Sequence, residues 1–540
     1  MAGRVRRRLG CVLLAGASLA IAGAASAAIW PSAGQDLTNA HNQPLEFQIG
    51  PSNVANLKVK WSIATDGDVV GQPALDDQYV YFADSAGSIY KASRATGALI
   101  WKFPVSNYTG IARDYARGTP AIWGNTLVFG NQSGKFVQAF YQPPPQPAQV
   151  FAVDKTTGAK LWSTQVDSNQ MSAVTNAPIV VQGLVLTGMS SQEELYAGFA
   201  PSWPFSFRGS VIALDVYTGA LRWRTYTVPP GYYGGGVWGS TFAFDVLRQE
   251  VYVGTGNNYA VPQSVLTCLQ GGGAPTSCLD PADHFDSIIA LSLADGHVTW
   301  SQRGVPYDAF NTGCGLYVPY VFVLQPNNNC PNPAGPDWDF AQGPMLLGGP
   351  LFSFLNSHVG GGEKSGVFWS FDRTTGKVDW MTQVAPGGLT GGLQWGSATD
   401  GPRIYVAVSN AGLDNSGNPP ILQTWTLPNG TATPPGTGGW AALDSTTGKI
   451  LWATPDPNGS RAEAPVAVAN GVMYGCNLDP VNGTMYALNA QTGKVLWSYN
   501  SGGACEAGAS IADGVVYWGT GNGQGYGTPH KLFAFSLGGN

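Results

Sequence analysis

Three short segments carry side chains that could do chemistry together. Ser190-Ser191-Gln192-Glu193-Glu194 closes an apolar strand running from Val181 to Gly188. Gly254-Thr255-Gly256-Asn257-Asn258 closes Val251-Tyr252-Val253, and Asp337-Trp338-Asp339-Phe340 follows further along. Two adjacent carboxylates at a strand end repel each other unless a cation or solvent relieves them. Carboxylate and amide oxygens that converge suit a hard cation such as calcium. Each segment alone also reads as a turn cap, the usual role of Asn and Asp at strand ends. Their recurrence at successive strand ends favours a shared site.

Other catalytic signatures are missing. There is no G-x-S-x-G elbow and no H-E-x-x-H, and five scattered histidines do not make a zinc site. Gly234-Gly235-Gly236-Val237-Trp238-Gly239 fits G-x-G-x-x-G but lacks the βαβ unit that would bind a dinucleotide, so it reads as a loop. The absence of C-x-x-C-H excludes a covalent c-type haem in this sequence.

The elements that must position these side chains follow from a repeat. Thr96-Gly97…Trp101, Thr157-Gly158…Trp162, Thr218-Gly219…Trp223, Thr375-Gly376…Trp380, Thr447-Gly448…Trp452 and Thr492-Gly493…Trp497 share one spacing, and Asp295-Gly296…Trp300 is a seventh copy. Each follows a short apolar strand, as in Val211-Ile212-Ala213-Leu214-Asp215. Strand, tight turn, strand with a docking tryptophan is the outer hairpin of a propeller blade. Trp61 ends an eighth such strand without a Thr-Gly before it, and Lys531–Leu537 looks like the half-blade it lacks. Pairing these two closes the ring and leaves no edge strand. The expectation is an all-β, eight-bladed propeller over residues 28–540. From Trp61 onward the tryptophans lie 40, 61, 61, 77, 80, 72 and 45 residues apart, so the middle blades carry insertions. These are Tyr196 to Phe207, Pro262 to Phe285, Val305 to Asp337 and Gly412 to Gly439, expected to cover one mouth of the ring.

Residues 1–27 read as a secretory signal: Arg4, Arg6, Arg7 and Arg8 precede an apolar run from Cys11 to Ala22, then Ala25-Ser26-Ala27. The run is shorter than the ~20 residues of a membrane span. Removing four of 27 basic residues leaves 23 against 33 acids, a net charge of −10. So acidic a chain is a poor partner for nucleic acid or an anionic membrane. Six cysteines remain, an even number suited to a periplasmic or secreted protein. Local pairing would join Cys268 to Cys278, Cys314 to Cys330 and Cys476 to Cys505, one of fifteen arrangements.

The repeat, with Phe207-Arg208-Gly209-Ser210, Gly335 to Phe340, Gly391 to Gly396 and Tyr517 to Gly521, resembles the pyrroloquinoline-quinone (PQQ) dehydrogenases, and among them the polyvinyl alcohol dehydrogenases. The resemblance implies PQQ and Ca²⁺ as cofactors. Glu193, with Glu194 as the alternative, matches the calcium-ligating glutamate, Asn257 the calcium-ligating asparagine, and Asp339 the catalytic aspartate beside the metal. Ala341 stands where lanthanide-using relatives carry a second aspartate. Arg117 and Thr175 match residues that hold the cofactor, and Lys364 matches the basic residue near its reactive oxygens. Trp238 matches the tryptophan stacked on its rings, with Trp395 a further wall. Ile111 and Ala112 replace the Cys-Cys pair of methanol-oxidising relatives. The implied activity is oxidation of a secondary or polymeric alcohol, with electrons passed to a separate acceptor such as a cytochrome c. The competing reading is a non-enzymatic propeller serving as a protein- or polymer-binding scaffold, since the repeat alone specifies only the fold.

Overall fold

The computed structural model describes residues 27–132, 146–239, 241–318, 322–349, 353, 356–389, 391–411, 422–522 and 529–540. The signal segment up to residue 26 and part of the fourth insertion, 412–421, lie outside the described residues. Eight antiparallel sheets follow one another around a ring. By their inner strands they are blade 1 (Ala74–Leu75), blade 2 (Ala121–Trp123), blade 3 (Ile179–Val181), blade 4 (Ala243–Asp245), blade 5 (Met345–Leu346), blade 6 (Ala398–Thr399), blade 7 (Ala467–Ala469) and blade 8 (Ser510–Ala512). Blade 8 takes its outer strand, Leu57–Ala64, from the other end of the chain, paired antiparallel to Lys531–Leu537. That is the closure expected from Trp61.

The burial pattern explains the composition of each strand. Middle strands such as Gln149–Asp154 are buried on both faces between neighbouring blades and are continuously apolar. Outer strands such as Leu221–Tyr226 are mostly exposed and bury chiefly their tryptophan. Trp223 Nε1 donates to Leu293 O of the next blade at 3.0 Å. Trp61, Trp162, Trp300, Trp452 and Trp497 do the same to their own neighbours.

The glycine of each copy is required twice over. Gly448 has φ 70°, and a Cβ there would lie 2.3 Å from the Trp380 ring. Its turn is held by Asp444, whose Oδ1 accepts from Thr446 N, Thr447 N and Thr447 Oγ1. A threonine two residues past the tryptophan adds a second tie, as Thr454 Oγ1 donates to Gly493 O at 2.8 Å. Blades 2, 3, 5 and 6 share this tie, Gln302, Tyr499 and Ile63 replace the threonine in blades 4, 7 and 8, and blade 1 departs as well. Phe103 stands at that threonine's position and packs first against Gly158, and Trp101 Nε1 is buried without a partner.

The disulfides are Cys268–Cys278, Cys314–Cys330 and Cys476–Cys505, the local pairing. The first insertion continues from the helix Glu193–Phe199, and the second contains the helices Gln263–Gln270 and Pro275–Cys278. The first three insertions interlock. Asn329 Nδ2 donates to Ala197 O and Ala200 O, Asn327 Nδ2 to Ala197 O and Gly198 O, and Gln270 Nε2 to Asn332 O. No helix among the described residues is long and apolar enough to cross a membrane.

Candidate active site

The third insertion returns to blade 5 through Asp337-Trp338-Asp339. Asp337 takes a left-handed φ of 60°, and Asp308 Oδ2 accepts from Trp338 N at 2.7 Å, which turns both aspartates inward. Asp339 is buried. Its Oδ1 accepts from Asn257 N at 2.6 Å, and its Oδ2 accepts from Trp238 Nε1 at 3.1 Å. The same Oδ2 lies 2.6 Å from Lys364 Nζ, which also reaches Asp337 Oδ1 at 2.9 Å. Close approach of the chains makes this possible. A Cβ on residue 256 would sit 2.8 Å from Asp339 Oδ1, so glycine is required there. Gly235 N bonds Asn257 O, and Gly256 N bonds Gly236 O, so the glycine-rich loop is a backing strip for the Asn257 turn and not a nucleotide loop.

The adjacent glutamates separate completely. Glu193 begins its helix with a buried carboxylate that is already satisfied. Asn169 Nδ2, Ser206 N, Ser206 Oγ and Phe207 N all donate to it at 2.9 to 3.1 Å. It pins the start of the first insertion. Glu194 is the carboxylate that faces Asn257, Asp339 and Lys364. Thr312 Oγ1 donates to Glu194 O at 2.9 Å and so ties this position to the third insertion.

Glu194, Asp337 and Asp339 surround Lys364, three carboxyl groups to one ammonium, which would leave two excess negative charges if all three were ionised. Burial works against the Lys364 charge, but Asp337, Asp339 and Glu194 outweigh it and hold its pKa well above the usual range. Burial and then the charge of Asp339 push Glu194 up to about 8 against the pull of Lys364. Burial likewise holds Asp337 well above an ordinary carboxyl. A divalent cation would let all three ionise by balancing those two charges. Among the described residues no three His, Cys, Asp or Glu side chains are arranged to hold a metal by themselves. A cation here would therefore need the Asn257 amide and oxygens of a bound ligand. Ala341 is buried and offers no side-chain oxygen.

A second group lines a small cavity of about 50 Å³ on the propeller axis, among them Arg117, Thr175, Trp395, Glu506 and His41. Trp395 links the two groups. Its ring lies edge-on to Trp238 with centroids 5.1 Å apart, and the Arg117 guanidinium stacks over it at 4.1 Å. Trp395 Nε1 is buried without a partner. Thr175 Oγ1 lies 3.1 Å from Ser190 Oγ. Arg117 is paired with Glu506, whose carboxyl is pushed up to about 7 by burial against the opposing pull of Arg117. A planar, acidic ligand fits this chemistry: an indole, a guanidinium, a hydroxyl and an orphaned donor.

The structure thus brings Asn257, Asp339, Lys364 and Trp238 together, places Arg117, Thr175 and Trp395 on the adjoining cavity, and leaves Glu193 outside. Glu506, Asp337 and His41 are additions. Glu506 follows Cys505, and His41 precedes the first blade, so neither carries a repeat signal.

A family model described as outer membrane protein assembly factor BamB matches residues 53–197, 142–259 and 363–529. A polyvinylalcohol dehydrogenase of a Pseudomonas species is 26% identical over 73% of this chain and 57% of its own length. Another, from Sphingopyxis sp. strain 113P3, is 26% identical over 74% of this chain and 55% of its own. The chain therefore spans little more than half the length of these relatives. The solved structure of a quinohemoprotein alcohol dehydrogenase, ADHIIG from Pseudomonas putida HK5, superposes with a TM-score of 0.67. It is 18% identical and covers 95% of this chain and 81% of its own, so it shows the fold alone.

Proposed function

The chain belongs to the PQQ-dependent dehydrogenase family of eight-bladed propellers, and from that membership we propose that it is a quinoprotein alcohol dehydrogenase. The observation that carries the reading is the group of half-buried Glu194 with buried Asp337 and Asp339 around Lys364, beside Asn257 and two indoles. A scaffold has no use for so costly an arrangement. Glu194, Asn257 and Asp339 would hold a calcium ion, and Arg117, Thr175, Trp238 and Trp395 the PQQ. When bound, PQQ supplies the two-electron oxidant and calcium a Lewis acid.

The side chains divide the remaining work. Asp339 is the carboxylate placed to take the hydroxyl proton of an alcohol, oriented by Asn257 N on one oxygen and Trp238 on the other. Lys364, charged throughout the working pH range, lies against Asp339 Oδ2 and steadies negative charge developing beside it. The likeness to polyvinylalcohol dehydrogenases supports a secondary alcohol or the end of a polymer as substrate. We place the enzyme in the periplasm or outside the cell after loss of residues 1–27, with a cytochrome c as a fitting separate acceptor. The three disulfides support an oxidising compartment.

The purified protein is expected to oxidise a secondary alcohol with an artificial electron acceptor only when PQQ and calcium are both present. Asp339→Ala is expected to lower turnover by about 10²- to 10⁴-fold, the range for loss of a positioned base. The family description favours a second reading, an assembly or binding platform. Wild-type protein that binds no PQQ would support it.

A further inference from the structure

The residues before the first blade form a strap along the central channel. Trp30 pairs with Leu75 of blade 1, and Pro31 O accepts from Ile122 N of blade 2. Leu37, Thr38 and Ala40 accept from Phe244, Leu346 and Thr399 of blades 4, 5 and 6. Asn42 and Gln43 run parallel to the inner strand of blade 7, and Gln43 Nε2 reaches Ile511 O of blade 8 at 3.1 Å. Every one of these contacts is to an inner strand, so the strap forms the end of the axial cavity away from the insertions.

His41 sits on that strap in a left-handed conformation, φ 48°, which non-glycine residues seldom adopt. Its backbone is fixed on both sides, N to Gly34 O at 3.0 Å and O from Val468 N at 2.9 Å. This geometry turns the imidazole into the cavity shared with Arg117, Thr175, Trp395 and Glu506. The ring is buried, 1% exposed, and neither Nδ1 nor Nε2 has a partner. Burial keeps it neutral, lowering its pKa to about 4, so it offers one N–H donor and one acceptor. Two unpaired polar atoms on one buried ring, held by a fixed backbone, mark a position whose partner is supplied from the cavity.

We propose that His41 is a further cofactor-binding residue, its imidazole hydrogen-bonding from the strap side to polar atoms of the acidic quinone that Arg117 and Thr175 hold. The inference rests on the dehydrogenase reading. The strap then has a role beyond bracing the ring: it completes the cofactor site.

Titration of PQQ into the apoprotein with calcium, followed by tryptophan fluorescence, tests this in the wild type, His41→Phe and His41→Gln. His41→Phe is expected to weaken binding by about tenfold, as loss of a buried hydrogen bond to a charged ligand would. His41→Gln, which keeps a donor and an acceptor, is expected to retain most of the affinity. In ¹⁵N-histidine-labelled wild type, one pair of imidazole signals among the five histidines is expected to shift on adding PQQ and to be missing from His41→Gln. Equal affinity in His41→Phe, or imidazole signals that stay in place while the wild type binds PQQ, would overturn the inference and leave channel water as the partner. If His41→Phe fails to fold, the wild-type imidazole signals decide. Wild-type protein that binds no PQQ would instead refute the dehydrogenase reading.

Discussion

Asp339 shows how much of the site is made by backbone groups and neighbours, not by the catalytic side chain itself. Its two oxygens are taken up by Asn257 N, Trp238 Nε1 and Lys364 Nζ, so its orientation survives only if all three stay in place. Lys364→Ala is expected to lower the rate more than cofactor affinity, seen as a fall in kcat at nearly constant PQQ affinity, because its charge matters most as negative charge develops. The neighbouring glutamates give a sharper test. Glu194→Gln is expected to weaken calcium binding by tenfold or more, about one hard charged ligand's worth, with little change in Tm. Glu193→Gln is expected to do the reverse, lowering Tm while sparing calcium affinity, because its carboxylate accepts four hydrogen bonds that fix the first insertion. Calcium titration and thermal unfolding of the two variants separate them. Residue types made the segments of Asp339 and Asn257 legible in the sequence, whereas Lys364 entered only through the family resemblance. The choice between Glu193 and Glu194 was not legible, because it depends on which side of a helix start faces the ring axis, and one residue reverses that. His41 and Glu506 were silent for a different reason: their burial is created by the strap and the blade 8 entry, which no local pattern encodes.

At the scale of elements, the Thr-Gly to Trp spacing revealed the blades because each of its residues has a contact to make. The aspartate caps the turn, the glycine admits the preceding blade's indole, and the indole N–H satisfies a carbonyl of the following blade. The threonine past the tryptophan ties only four of the blades, through Thr164, Thr225, Thr382 and Thr454, and a residue absent from half the copies gives no repeat signal. Blade 1 provides the contrast. Trp223→Phe leaves Leu293 O without its donor and is expected to destabilise by about 1–3 kcal/mol. Trp101 Nε1 has no acceptor to lose, so Trp101→Phe is expected to be nearly neutral. Denaturant unfolding of both variants measures the difference. The insertions were legible as lengths, but their interlocking through Asn327, Asn329 and Thr312 was not, because those partners lie more than a hundred residues away.

The whole ring closes by a chain-terminal exchange that was legible from an unpaired tryptophan strand and an unpaired C-terminal strand. Its interior, however, stores acids in numbers that only the three-dimensional structure reveals. Burial is the main cause that pushes Glu506 up to about 7 and Glu363 up to about 8, from an ordinary 4.5. The folded chain therefore keeps protons that the unfolded chain has released above 4.5. Their contribution to stability is full below that value and is lost as pH rises through 7 to 8. Thermal unfolding of the apoprotein is expected to show Tm falling between about pH 5 and about pH 8.5, and Glu506→Gln is expected to flatten part of that fall. Equilibrium binding of PQQ to the purified apoprotein, with and without calcium, bears most directly on the central claim. Quenching of the site tryptophans is expected to saturate at one PQQ per chain, to require calcium, and to be greatly weakened in Glu194→Gln. Binding that ignores calcium and Glu194, or no binding at all, would contradict the account.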